Sequence, residues 1–159
     1  MMKRRALLVL LSAVAIPALA HGADRGAAKA TVAGKTVAID YGRPSLKGRD
    51  MLGQAEVGKA WRMGADDATT LKTDADLSFG GTPVPKGEYV LTATKLAEGQ
   101  WQLNVATKER AKVADVPLET AKLPASVETL TIELTGSKDK GTFTMSWGEL
   151  ALKTAFTGK

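Results

Sequence analysis

Between Tyr41 and Leu71 the chain gathers the side chains that could do chemistry. Arg43, Lys47, Arg49 and Arg62 supply cations, Asp50, Asp66 and Asp67 supply carboxylates, Tyr41 and Trp61 supply aromatic faces, and Thr69 supplies a hydroxyl. A guanidinium presents its N–H groups as a planar fork that fits carboxylate, phosphate or sulfate. The set therefore suits binding of a small anionic or saccharide ligand, or of an envelope protein partner, through this segment, with Tyr41 or Trp61 stacking on a ring. The same charges also suit a structural ion-pair network that pins a long irregular loop onto a sheet edge, because polar groups drawn into a fold must be satisfied.

Catalysis has less to work with. Asp66 or Asp67 could act as a general base in a hydrolase or isomerase while arginines hold an oxyanion. Adjacent residues point to opposite faces of a strand, so both would have to lie on a loop to meet one substrate. The chain has no cysteine, a single histidine at position 21 and no GxSxG nucleophile motif. The residues lean away from an enzyme and call for no cofactor. His21 with a free amine could chelate copper, yet a two-histidine brace is impossible, and Asp74 and Asp76 lack the ligand spacing of a calcium loop. No metal site is expected.

The elements that must hold these residues come after an export signal. Lys3, Arg4 and Arg5 precede an apolar run from Ala6 to Ile16, then Pro17 and the triplet Ala18, Leu19, Ala20. That is the form of a cleaved secretory signal, cut after Ala20. The run is too short for a span of about 20 residues, so the mature protein is expected to be periplasmic or secreted, without membrane insertion. Removing three cations from the 22 Lys and Arg leaves 19 against 17 Asp and Glu, a net +2. So small an excess argues against nucleic acid as a partner.

Residues 21–28 are small and polar and read as a flexible arm, followed by one domain over 29–159. Alternation of period two marks its strands. Val37, Ile39 and Tyr41 come after a turn read at Gly34-Lys35; Leu77 to Phe79 and Thr82 to Val84 flank Gly80-Gly81; Tyr89, Leu91 and Ala93 share a face. Trp101, Leu103 and Val105 form another face, as do Leu130, Ile132 and Leu134, then Phe143, Met145 and Trp147, then Leu150, Leu152 and Phe156. Thr107 to Leu123 reads as an exposed connection, because Lys108 to Ala114 suits a helical turn and Pro117 interrupts the residues after it. Seven to ten short antiparallel strands without helices imply an all-β sandwich, or alternatively a partly closed barrel.

Three blocks in order, YGRPSLKGR at 41–49, WRMGADDATTL at 61–71 and GGTPVPKGEY at 80–89, resemble the bacterial family of unknown function DUF2911. The resemblance covers nearly all of the mature chain and implies no activity. Members of that family read closer to GANEAT where this chain has Gly64-Ala65-Asp66-Asp67-Ala68-Thr69, so a carboxylate stands at Asp66 in place of an amide.

Overall fold

The computed structural model describes residues 24–159; the signal segment, its cleavage position and His21 lie outside them. The ten strands are β1 (Asp24–Val32), β2 (Lys35–Arg43), β3 (Ala60–Trp61), β4 (Thr69–Thr73), β5 (Leu77–Phe79), β6 (Thr82–Val84), β7 (Gly87–Ala97), β8 (Gln100–Ala106), β9 (Lys112–Ser137) and β10 (Lys140–Gly158). All pairings between them are antiparallel, in the order β1-β2-β4-β7-β8-β9-β10-β5-β6, with β3 adding to β7, and the path does not close. Among the described residues no helix is long and apolar enough to cross a membrane.

The path folds over on itself because β9 belongs to both layers. Residues 112–118 pair with β8; from Glu119 onward the strand pairs with β10. The two layers bury one core, in which Ile39, Leu71, Leu91 and Leu103 of the first face Leu77, Phe79, Phe143 and Phe156 of the second. The alternating faces read from the sequence are the buried ones: Trp101, Leu103, Val105, Leu130, Ile132, Phe143, Met145, Trp147, Leu152 and Phe156 are all inside. Leu134 and Leu150 are half-buried at the margin.

Three local readings change. The first hairpin turns at Ala33-Gly34, one residue earlier than the sequence suggests. Both residues have positive φ, 52° and 73°, as a two-residue primed turn between paired Val32 and Lys35 requires. Residues 24–28 belong to β1 rather than to a flexible arm: Asp24 to Ala28 pair with Ile39 to Arg43. Their small size has a reason, since a Cβ on Gly26 would stand 2.6 Å from Arg43 and 2.9 Å from the Tyr41 ring. The stretch expected to be an exposed connection holds the first part of β9, with Ala114, Val116 and Leu118 buried. Pro117 is tolerated there because this part of β9 pairs with β8 alone and so lies at the edge of its layer, where proline is accommodated.

Candidate functional site

The first part of the Tyr41 to Leu71 segment carries β2 from one layer to the other. The chain parts from β4 after Asp40 and from β1 after Arg43, and then runs antiparallel along the edge of β9 that β10 does not occupy. The backbone groups of Glu128, Leu130 and Ile132 point to that edge, and each finds a partner in turn. The Ile132 N–H donates to the Tyr41 hydroxyl at 2.9 Å, and the Leu130 N–H to the Pro44 carbonyl at 3.0 Å. Arg43 donates from Nε to the Leu130 carbonyl and from Nη2 to Thr131 Oγ1, both at 3.3 Å. The Glu128 carbonyl accepts from the Leu46 N–H at 3.0 Å and from Trp147 Nε1 at 3.1 Å, while its carboxylate accepts from the Lys47 N–H at 3.0 Å. Tyr41, Arg43 and the Lys47 main chain thus cap an edge that would otherwise offer unpaired donors and acceptors.

The second block, from Trp61 to Thr69, folds onto this crossing. Met63 is fully buried with φ 60°, and its carbonyl accepts from the buried Thr69 hydroxyl at 3.0 Å. Gly42 and Gly64 let two main chains touch: a Cβ on Gly42 would lie 2.0 Å from the Ala65 carbonyl oxygen. Arg62 donates to the Asp66 carbonyl. Arg25, in the stretch expected to be a flexible arm, pairs with Asp40 and donates to the Asp67 carbonyl at 3.2 Å. Trp61 stacks on Trp147 with centroids 5.8 Å apart and planes at 11°, and meets Trp101 edge-on at 6.4 Å. One of its faces is therefore occupied by protein.

The segment is pinned to the sheet, though through carbonyls more than carboxylates. Among the described residues none of Arg43, Arg49 and Arg62 forms an ion pair with Asp50 or Asp67. Of Arg43, Arg49, Arg62 and Trp61, Arg49 alone lines an open groove of about 520 Å³, between the 46–53 loop, the β7–β8 turn and the crossing of β9 with β10. Lys47 and Gly48, with φ of 51° and 77°, make the tight turn that aims Arg49, whose Nε returns to the Leu46 carbonyl at 3.1 Å. Its two Nη nitrogens have no partner among the described residues. Asp50 accepts from the Gly53 N–H at 3.0 Å and so shapes the loop.

Behind the groove wall lies a residue that the strand pattern hides. Lys95 is only 4 % exposed; its ammonium donates to the Gly53 carbonyl at 3.3 Å and pairs at 2.9 Å with Glu98, whose side chain is 91 % exposed. Its stem runs beside Trp101, its partner across the ladder. Glu98 is thereby neutralised. Lys122 also lines the groove, as do the carboxylates of Asp50 and Glu149, and none of the three has an ion-pair partner among the described residues, while Leu46, Leu52, Trp147 and Leu150 give the groove apolar surface. Asp66 and Asp67 do not line it, and no group of three or more His, Cys, Asp or Glu among the described residues is placed to hold a metal.

A family model for a protein of unknown function, DUF2911, matches residues 24–156, from the first residue of β1 to the buried Phe156 of β10. No curated protein and no solved structure matches the chain. The match takes in all ten strands but for the last two residues of β10, together with all three sequence blocks, and the chain accordingly belongs to the DUF2911 family.

Proposed function

We propose that this is an exported, non-catalytic binding domain of the cell envelope, and that the groove beneath the 46–53 loop holds a small ligand bearing an anionic group, a sugar acid or a phosphorylated sugar among them. One observation carries the reading. Two cations from separate elements, Arg49 and Lys122, reach the same groove without ion-pair partners, beside apolar surface from Leu46 and Leu150; Asp50 and Glu149 line it too, so the ligand's anionic group must lie between the two cations and its hydroxyls against the two carboxylates. A guanidinium whose Nε is already anchored loses little freedom when its fork closes on an oxyanion. The test is a thermal-shift and NMR titration of the mature chain against sugars, sugar acids, phosphates and sulfates. A ligand should raise the midpoint, and Arg49→Ala should abolish that rise while leaving the unliganded midpoint nearly unchanged. The groove reading fails if no member of the panel shifts the wild type, or if Arg49→Ala and Lys122→Ala keep the full response.

A second reading, assembly with a partner through a strand edge, is favoured by β1. That strand ends the order with one hydrogen-bonded neighbour, whereas β6 at the other end carries Pro83, which blunts pairing. Light scattering that finds only monomer, with no partner retained from an envelope extract, counts against it.

A further inference from the structure

The outer face of the first layer carries a charge pattern that the groove does not use. Register sets Lys29, Ala38, Lys72 and Glu88 in one row across β1, β2, β4 and β7. Val37, Ile39, Leu71 and Tyr89 on the same strands are buried, so the row faces outward. Ala27, Ala38 and Thr70 are short between longer neighbours, and the face sinks into a hollow of about 540 Å³. Lys72 and Glu88 also line an adjoining hollow of about 410 Å³ that reaches Lys86 and Asp74. The two make one trough across four strands.

Its charges are unbalanced. Asp40 is taken by Arg25 and Glu88 by Lys108. Lys29, Lys72 and Lys86 have no ion-pair partner among the described residues, against Asp74 as the one acid of the trough outside a pair. Lysine on an edge strand is a common device against sheet-to-sheet aggregation, which accounts for Lys29 on β1. It does not account for Lys72, because β4 has β2 on one side and β7 on the other; Lys72 stands across the ladder from Glu88, but that carboxylate is already paired with Lys108. The strand spacing sets Lys29 and Lys72 about 10 Å apart across the recess at Ala38. Beside the trough the same face continues as a row of amides and hydroxyls. Gln102 donates to Asn104 at 2.8 Å, and Asn104 to Thr92 at 3.1 Å and Thr94 at 2.8 Å.

We propose that this trough binds a linear acidic polysaccharide, with sugar carboxylates at Lys29, Lys72 and Lys86 and ring hydroxyls against the amide and hydroxyl row. A narrow chain can reach the floor at Ala38, whereas a flat anionic membrane meets only the rim. Tyr89, the aromatic residue that lines the trough, is buried with its hydroxyl held by the Pro85 carbonyl, and so offers no open face on which a nucleic-acid base could stack.

The experiment is calorimetric titration of the mature chain with oligogalacturonate, beside a neutral oligosaccharide of equal length and vesicles of phosphatidylglycerol. Wild type should bind oligogalacturonate, more weakly as salt rises, and bind the neutral chain far less. Lys29→Gln with Lys72→Gln should weaken it about tenfold. Ala38→Leu, which fills the recess and leaves every charge in place, should weaken it comparably, and Lys153→Gln, which removes an exposed charge from β10, should leave it unchanged. Full-strength binding by Ala38→Leu would reduce the effect to surface charge and overturn the proposal. So would equal binding of the neutral chain, or retention on vesicles without oligogalacturonate binding. If Ala38→Leu folds poorly, the double lysine variant and the neutral chain still decide.

Discussion

Replacing Tyr41 with Phe tests whether the first family block is there to close the fold. The ring is buried, and Phe keeps its packing, so no cavity opens. What disappears is the hydroxyl that accepts from the Ile132 N–H at 2.9 Å. Ile132 is itself buried and directs this N–H away from β10, so no strand can take over as acceptor. A buried donor left without a partner costs about 1–3 kcal/mol. At about 2 kcal/mol, and with an unfolding entropy of about 2.1 cal/mol/K per residue, the melting temperature of a domain this size should fall by about 7 °C. Calorimetry of Tyr41→Phe reads that directly, and amide exchange at Ile132 should accelerate in the variant while the amides on the β10 side keep their protection. A midpoint within about 1 °C of wild type with unchanged exchange at Ile132 would refute the capping argument. A ligand response lost at unchanged stability would move Tyr41 back among the binding residues.

Lys95→Met keeps the buried stem and removes the amine; the Gly53 carbonyl and Glu98 that it served are at the surface and can turn to water. Thermal melts should find this variant within about 1 kcal/mol of wild type or above it, with Lys95→Ala lower by about 2 kcal/mol or more, because the stem is what packs. Burial, with Asp76 adding to it, raises the Tyr89 phenol above its ordinary value of 10.0, and the phenol donates to the Pro85 carbonyl at 2.5 Å. The folded state therefore holds that proton more tightly than the unfolded state, so the contribution is complete below pH 10 and is lost as pH rises through the higher folded value. Melts between pH 8 and 11.5 should show an alkaline fall that Tyr89→Phe flattens, and an equal fall in both proteins would remove Tyr89 as its cause.

Strands with a clean two-residue period were legible because one face had to be apolar. Trp101 to Val105 and Phe143 to Trp147 are written in that way and lie where the pattern puts them. The start of β9 was not legible, since Lys108, Glu109, Arg110 and Lys112 lead into it and Pro117 breaks it. Only the neighbouring β8, a tertiary fact, makes a strand of Ala114, Val116 and Leu118. The start of β1 failed for the opposite reason. Its small residues look featureless in sequence, yet Gly26 is what lets Tyr41 and Arg43 lie against it. As to the arginines, a sequence pairs charges with charges, whereas a loop crossing from one sheet to another leaves more carbonyls than carboxylates to satisfy. Arg43, Arg49 and Arg62 each went to a carbonyl, and no residue pattern displays that partner.

The carboxylate at Asp66 shows the same division between what the blocks hold together and what they leave open. Read as a side chain, Asp66 in place of an amide removes a neutral donor. In the structure its main chain takes part as well: φ is 62°, and its carbonyl accepts from the Arg62 guanidinium. Asparagine and aspartate are the side-chain-bearing residues that most readily adopt a left-handed backbone, so exchanging one for the other preserves the turn on which Gly64, Met63 and Thr69 are stacked. Asp66→Asn should accordingly keep the turn and cost clearly less than Asp66→Val, which, β-branched and forced to the same φ, should cost about 1–2 kcal/mol or more. Denaturant melts of the pair decide. If Asn were as harmful as Val, the carboxylate rather than the backbone would be what position 66 requires. On the backbone reading the family blocks specify how a strand changes sheets. The ligands we propose would then be chosen by side-chain groups that take no part in the crossing: the Nη nitrogens of Arg49, at the end of the first block, with Lys122 in the groove, and Lys29 and Lys72 on the outer face.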